Sequence, residues 1–353
     1  MTKHTGANRV STTSFTDCSP IFVVGAGRSG TTLLQLMLNA HPGIAVAGEL
    51  GYFDQILQLR RLVPDLSAPE QVDRLFELLR NTYNFQYLTE VESVLPQVQR
   101  RLKADPEPSY EKFYRYFMEG YGALRAPCRF GEKTPGNIRH LDELVALFPL
   151  CKIVHLIRDP RANVASRLKL PILSNDVITN AIKWKIDALY GQNFLLSNPQ
   201  HRKNYCYEKY ESLVLEPETT LRRICAFIGE PYDQSMLDYY RSSEHFIKDE
   251  PWKEGTSRPV YASSLEKWRQ ELTESQIYLI ELVTGRQLEH FGYQRTAVRL
   301  RAKVASPFQL AIELGRWGRF KLRERKARQR EPATVYGTST KLYHMLWRSL
   351  VHR

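Results

Sequence analysis

The sequence predicts an α/β fold: a parallel sheet flanked by helices, with a helical insertion and a basic helical C-terminal tail. Three observations predict it. Short apolar runs that end in glycine or in Arg-Asp-Pro alternate with amphipathic segments, the order that gives a parallel sheet covered on both faces. Residues 52–125 carry helical periodicity. Residues 295–353 hold 15 Lys and Arg against three acidic residues and so account for the whole net charge of +12.

The elements follow in chain order. Residues 1–19 are rich in Ser and Thr and read as a disordered leader. Ile21, Phe22, Val23 and Val24 form a buried strand that enters a glycine-rich turn. Residues 31–40 set Leu33, Leu34, Met37 and Leu38 at helical spacing, and His41, Pro42 and Gly43 end that helix. Residues 44–47 form a second strand, followed by Gly48 and Glu49. Within 52–125, residues 71–79 and 110–124 read as helices, and Pro64, Pro69, Pro96, Pro106 and Pro108 break the stretch into pieces. Residues 130–135 read as a strand running into a loop, 141–148 as a helix and 152–157 as a buried strand. Pro160 then falls in the first turn of the next helix, 161–168. A further strand is read at 205–207, and a helix at 217–228 closed by Gly229 and Pro231. The domain therefore spans 20–294, with 295–353 as an extension.

Composition bounds the class. With 42% hydrophobic and 25% charged residues, the 353-residue chain suits a globular protein with a full core. The five cysteines (Cys18, Cys128, Cys151, Cys206, Cys225) are odd in number and include no C-x-x-C pair, which argues for a reduced compartment without structural zinc. The first 18 residues lack the apolar core of a signal peptide, and no run approaches 18 apolar residues. The expected location is cytoplasmic, at most peripheral at the inner membrane surface. The basic extension points to a polyanion, an anionic membrane surface or the acidic face of a partner, and a solvated basic helix explains it equally well. Nucleic acid is not an expected partner.

The turn at residues 25–32 (GAGRSGTT) is P-loop-like in its place between strand and helix. Its glycines let backbone N–H groups approach an anion, and the helix N-terminus adds about half a positive charge. Thr31 and Thr32 offer hydroxyls to the same oxygens. Three readings compete. A triphosphatase loop needs Lys where Thr31 stands. A dinucleotide fingerprint matches Gly25, Gly27 and Gly30, and Glu49 falls 19 residues after Gly30, near where a ribose-binding acid belongs. A phosphosulfate loop uses Arg28 as its cation and needs no metal. The wider chain bears on the choice. Residues 152–166 (KIVHLIRDPRANVAS) place Arg158 at the carboxyl end of a buried strand and Ser166 two turns into the next helix. That is a second anion site, which a donor with a separate 3′-phosphate requires.

These two motifs, RSGTTLL at 28–34 and IRDPRANVAS at 157–166, carry a family resemblance. The sequence resembles the 3′-phosphoadenosine 5′-phosphosulfate-dependent sulfotransferases. Within them it is similar to the tyrosylprotein and Golgi carbohydrate branch, as a bacterial-type member without that branch's anchor. The resemblance covers roughly residues 20–290. It implies that Arg28, Ser29, Gly30, Thr31 and Thr32 hold the 5′-phosphosulfate, and that Arg158 and Ser166 hold the 3′-phosphate. It further implies Glu49 as general base for the acceptor hydroxyl, and Arg28 and Lys133 (in GEKTP) as cations on the transferring group. By the same resemblance, Tyr210 is expected near the nucleotide, and Lys267, in RPVYASSLEKW, is expected to contact the 3′-phosphate. No metal is implied. Two departures stand out: Leu170 occupies a position where the branch has a basic residue, and 52–125, the expected acceptor side, aligns with no motif. The acceptor hydroxyl belongs to a glycan, a lipid-linked sugar, a tyrosine or a small alcohol. The rival readings are a dinucleotide-dependent oxidoreductase and a nucleotide-dependent polyanion-binding module. His155 and Trp184 read as core residues, with Trp184 and Lys183 also candidates for the acceptor cleft.

Overall fold

The computed structural model describes residues 19–80, 89–124, 129–170, 173–246, 262 and 265–330. The expected leader up to residue 18, most of the 258–268 motif, and the extension beyond 330 lie outside the described residues. Five strands form the sheet: β1 (Ile21–Val24), β2 (Ile44–Ala47), β3 (Arg129–Lys133), β4 (Lys152–Ile157) and β5 (Tyr205–Lys209). They pair in parallel in the order β2-β3-β1-β4-β5. The strands expected at 130–135 and 205–207 are thus present with shifted ends.

Side chains alternate across the central strand. Phe22 and Val24 join one core, and Ile21 and Val23 join the other. The first core is closed by α2 (Pro69–Arg80), α3 (Thr89–Ala104) and α4 (Tyr110–Ala123), through Phe76, Val98, Phe113 and Phe117. The described residues of 52–125 therefore seal one face of the sheet. The second core is closed by α1 (Thr31–Asn39) and a later helix, Pro217–Ile228, through Leu34, Met37, Leu221 and Ile224.

Pro96 departs from expectation. It lies inside α3, where a break was expected. A proline there removes one backbone donor, but Val94, Leu95, Val98 and Leu102 are all buried in the first core. Their packing outweighs the local penalty.

Three further helices frame the site: α5 (Leu141–Leu147), α6 (Pro160–Leu168) and α7 (Val177–Ser197). The short helix Trp268–Glu271 packs on α6 and the helix Glu274–Thr284 on α6 and α7. The basic segment enters as the helix Leu300–Arg330, seated against Glu274–Thr284.

Candidate active site

The sheet order places β1 at the centre, with β3 on one side and β4 on the other. The strand order reverses there, and the crevice beyond the carboxyl ends of such strands is where open α/β sheets bind ligands. The loop after β1, the end of β3 and the end of β4 all open into this crevice.

The loop is held in an unusual conformation. Arg28 has φ 74°, a left-handed geometry rare for a residue with a side chain. Gly30, at φ 90°, is irreplaceable on space alone: a Cβ there would lie 2.2 Å from Cδ2 of Tyr210. From below, Asn163 Nδ2 on α6 donates to Gly27 O (3.0 Å) and to Ser29 Oγ (3.1 Å), and Arg167 Nη1 donates to Gly27 O (3.3 Å). Ser29 is consequently buried with its hydroxyl turned toward α6, while Thr31 and Thr32 open the first turn of α1.

The two anion motifs meet. Arg28 Nε donates to Ser166 Oγ at 3.3 Å, and Arg158 Nη1 donates to Arg28 O at 3.1 Å. The Arg158 guanidinium also stacks on Tyr210, 4.5 Å from the ring centroid, and its buried Nε has no hydrogen-bond partner among the described residues. A buried guanidinium N–H left without an acceptor is a group prepared for one. Lys267 is exposed at the head of Trp268–Glu271, and that helix is tied to α6 by Lys169 Nζ and Glu271 Oε1 at 2.5 Å.

Across β1 the chemistry changes. Lys133 ends β3 beside Val23, only 1% exposed, and its Nζ lies 2.6 Å from Glu49 Oε1, whose side chain is 46% exposed. The predicted base and the predicted cation are thus one ion pair, sealed on the lysine side and open on the carboxylate side.

Sequence reasoning missed the support beneath this pair. Glu132 is fully buried and accepts hydrogen bonds from Leu50 N (3.1 Å), Tyr114 Oη, Thr134 Oγ1 and Asn137 Nδ2 (3.4 Å). Burial pushes its carboxyl above the usual range, and these donors pull it back. One carboxylate thereby links the residue after Glu49 to the strand carrying Lys133. Its signal was adjacency to Lys133 in GEKTP. Asn163 and Arg167 were also missed, although their i, i+4 spacing puts them on one face of α6. Arg167 is buried, forms no ion pair among the described residues, and is pushed down to about 10, chiefly by burial.

His155 and Trp184 are core residues. His155 is buried 2.5 Å from Tyr205 Oη, and Trp184 Nε1 donates to Arg158 O at 2.9 Å. Leu170, at the departure from the branch's pattern, is buried. Among the described residues, no cluster of three or more His, Cys, Asp or Glu could hold a metal ion, and no helix is long and apolar enough to cross a membrane.

Comparison with known proteins gives a consistent result. The model of the Sulfotransferase family matches residues 20–234. The chain is 28% identical over 301 residues to Protein-tyrosine sulfotransferase A of Caenorhabditis elegans, covering 78% of this chain and 68% of that one. It is 27% identical over 264 residues to the Protein-tyrosine sulfotransferase of Drosophila melanogaster, covering 70% of this chain and 46% of that one. Among solved structures, the sulfotransferase domain of the Synechococcus PCC 7002 olefin synthase superposes with TM-score 0.57 at 24% identity, covering 78% of this chain and 96% of that one. The sulfotransferase domain from the curacin biosynthetic pathway gives TM-score 0.58 at 20% identity, covering 79% and 99%. These two establish the fold.

Proposed function

Since the chain belongs to the sulfotransferase family, an assignment that sets the dinucleotide reading aside, we propose that its sulfuryl donor is 3′-phosphoadenosine 5′-phosphosulfate. The backbone of residues 28–32, with Arg28, Thr31 and Thr32, takes the 5′-phosphosulfate at the N-terminus of α1. Ser29 serves through its backbone and by bracing the loop against Asn163. Arg158 and Ser166 take the 3′-phosphate, with Lys267 closing over it and Tyr210 beside the nucleotide. The single observation that carries this reading is the Arg28–Ser166 contact, which makes one continuous cationic cradle of two motifs 138 residues apart.

The reaction is in-line transfer to an acceptor hydroxyl. The acceptor oxygen attacks sulfur, the bond from sulfur to the bridging phosphate oxygen breaks, and Glu49 takes the hydroxyl proton. The products are a sulfate ester and adenosine 3′,5′-bisphosphate. Arg28 and Lys133 stabilise the charge that moves onto the leaving phosphate. The Lys133–Glu49 pair fits this division of labour: when the donor's sulfuryl oxygens take the ammonium, the carboxylate loses its partner and becomes a better base. The relatives named as protein-tyrosine sulfotransferases make a peptide tyrosine the first acceptor to assay. We assign residues 52–125 to the acceptor side, and residues 295–353 to contact with an anionic surface. The location that follows is peripheral to a membrane on its cytoplasmic side.

Titration calorimetry with adenosine 3′,5′-bisphosphate tests the donor site. Arg28→Ala and Ser166→Ala should each weaken binding, Arg28→Ala by about 10- to 100-fold, as expected for a lost charge-assisted hydrogen bond. Unchanged affinity in both variants would overturn the assignment.

A further inference from the structure

The helix Leu300–Arg330 carries two unlike faces. One is docked. Ala302, Ser306 and Glu313 are buried, Ala302 O accepts from Ser275 Oγ at 3.0 Å, and Glu313 accepts from Val177 N at 2.9 Å and from Gln276 Nε2 at 3.2 Å. The other face is apolar and open. Leu300, Val304 and Phe308 recur every four residues at 75%, 72% and 74% exposure, and Ile312, Leu314, Trp317 and Leu322 continue the open surface. In a folded domain these side chains would normally be turned inward, yet the inward positions are held by Ser306 and Glu313.

The charge pattern selects among possible occupants. Between residues 300 and 323 the sequence has a single acidic residue, Glu313, and it is buried against Arg316. The exposed charges there, Arg301, Lys303, Arg319, Lys321 and Arg323, are all cations. Over residues 300–323, a second copy of this helix would set these cations largely against their own kind. A polyanion would meet the cations and leave the apolar side chains in water. An anionic bilayer satisfies both: the apolar face enters the boundary between headgroups and acyl chains, and the cations lie among the headgroups.

We propose that the exposed face of this helix is a membrane-docking surface that seats the enzyme on anionic lipid. The proposal deepens the role assigned above to residues 295–353 and does not depend on the sulfuryl chemistry. Sulfate transfer measured on the same variants separates the two.

The test is vesicle flotation of the full chain. Vesicles of phosphatidylglycerol and phosphatidylcholine should carry the protein about tenfold more than phosphatidylcholine alone, and raised salt should reduce the difference. The triple variant Leu300→Ser, Val304→Ser, Phe308→Ser alters only exposed positions. It should lose about tenfold in vesicle binding and keep its unfolding temperature and its transfer of sulfate to a water-soluble acceptor. The proposal is overturned by a wild-type chain that does not float. It is equally overturned by a triple variant that floats as well as wild type. A third overturning result is a wild-type dimer that the triple variant dissociates without any vesicle binding, which would make the face a self-association surface.

Discussion

The two walls of the crevice are built on opposite electrostatic plans. On the β4 side, Arg28 and Arg158 lie beside Arg167, which forms no ion pair among the described residues and feels the Asp187 carboxylate only at longer range. On the β3 side, each charge has a counterpart: Lys133 faces Glu49, and Glu132 is surrounded by four donors. A wall built mainly from arginines favours an anion and suits a ligand held by its phosphates. A balanced pair can exchange partners, which suits a group that gains and loses charge in each turnover. The difference separates donor binding from the chemical step, and it can be tested one wall at a time.

The largest effect should come from Glu49→Gln. Removing a positioned general base should cut sulfate transfer by roughly 10²- to 10⁴-fold. Affinity for adenosine 3′,5′-bisphosphate should stay within about threefold, because the cationic wall is untouched. A loss of donor-product affinity that matches the loss of turnover would merge the two walls and break the comparison. Single-turnover labelling with radioactive sulfate, alongside calorimetry on the same preparation, gives both numbers.

How far the sequence reached follows the same division. The loop at 28–32 and the passage from Arg158 into α6 were legible because short-range spacing dictates them: glycine at a positive φ, proline in a first turn, a strand followed by arginine. Strands β1, β2 and β4 were legible because both of their faces are buried and they read as near-continuous apolar runs, whereas β3 and β5 carry Glu132, Lys133, Glu208 and Lys209 and were read with shifted ends. Pro96 misled, since a local rule was overridden by the burial of Val94, Val98 and Leu102. Glu132 was illegible as a functional residue. Its partners Leu50 and Tyr114 come from distant segments, and nothing in GEKTP says that its one carboxylate and its one lysine are both buried. The inward side of α6 was legible in principle, from the spacing of Asn163 and Arg167.

Glu132→Gln sharpens the β3 side. Glutamine has one acceptor oxygen where the carboxylate has two, and its amide N–H₂ would face donors that already need acceptors. The segment carrying Glu49 should shift relative to Lys133, lowering kcat by roughly 10- to 100-fold. Donor-product affinity should hold, and stability should fall by about 1–3 kcal/mol. Glu132→Asp, which keeps the charge, should recover part of the rate. A variant with normal kcat but reduced stability would leave Glu132 a fold residue with no hold on the chemistry.

The smallest effect concerns the floor of the β4 side. His155 lies behind the phosphate loop, where a Cβ on Gly25 would approach its ring to 3.3 Å. Burial pushes its imidazole down to about 3, so the ring stays neutral across the physiological range and adds no charge beneath the donor. The sign follows from which state takes up the proton. Unfolded His155 protonates near its ordinary value of about 6.5, and folded His155 resists until about 3. The stability gained by keeping it neutral is present in full above pH 6.5 and is lost as pH falls below that. One such group contributes a slope of up to about 1.4 kcal/mol per pH unit. Urea unfolding of the wild type and of His155→Phe between pH 4 and 7 should show the slope reduced in the variant. Both proteins should bind adenosine 3′,5′-bisphosphate with the same pH profile. A donor affinity that rises in acid for the wild type alone would mean that His155 charges in the folded state, and the β4 wall would then owe part of its field to a titrating floor rather than to its arginines.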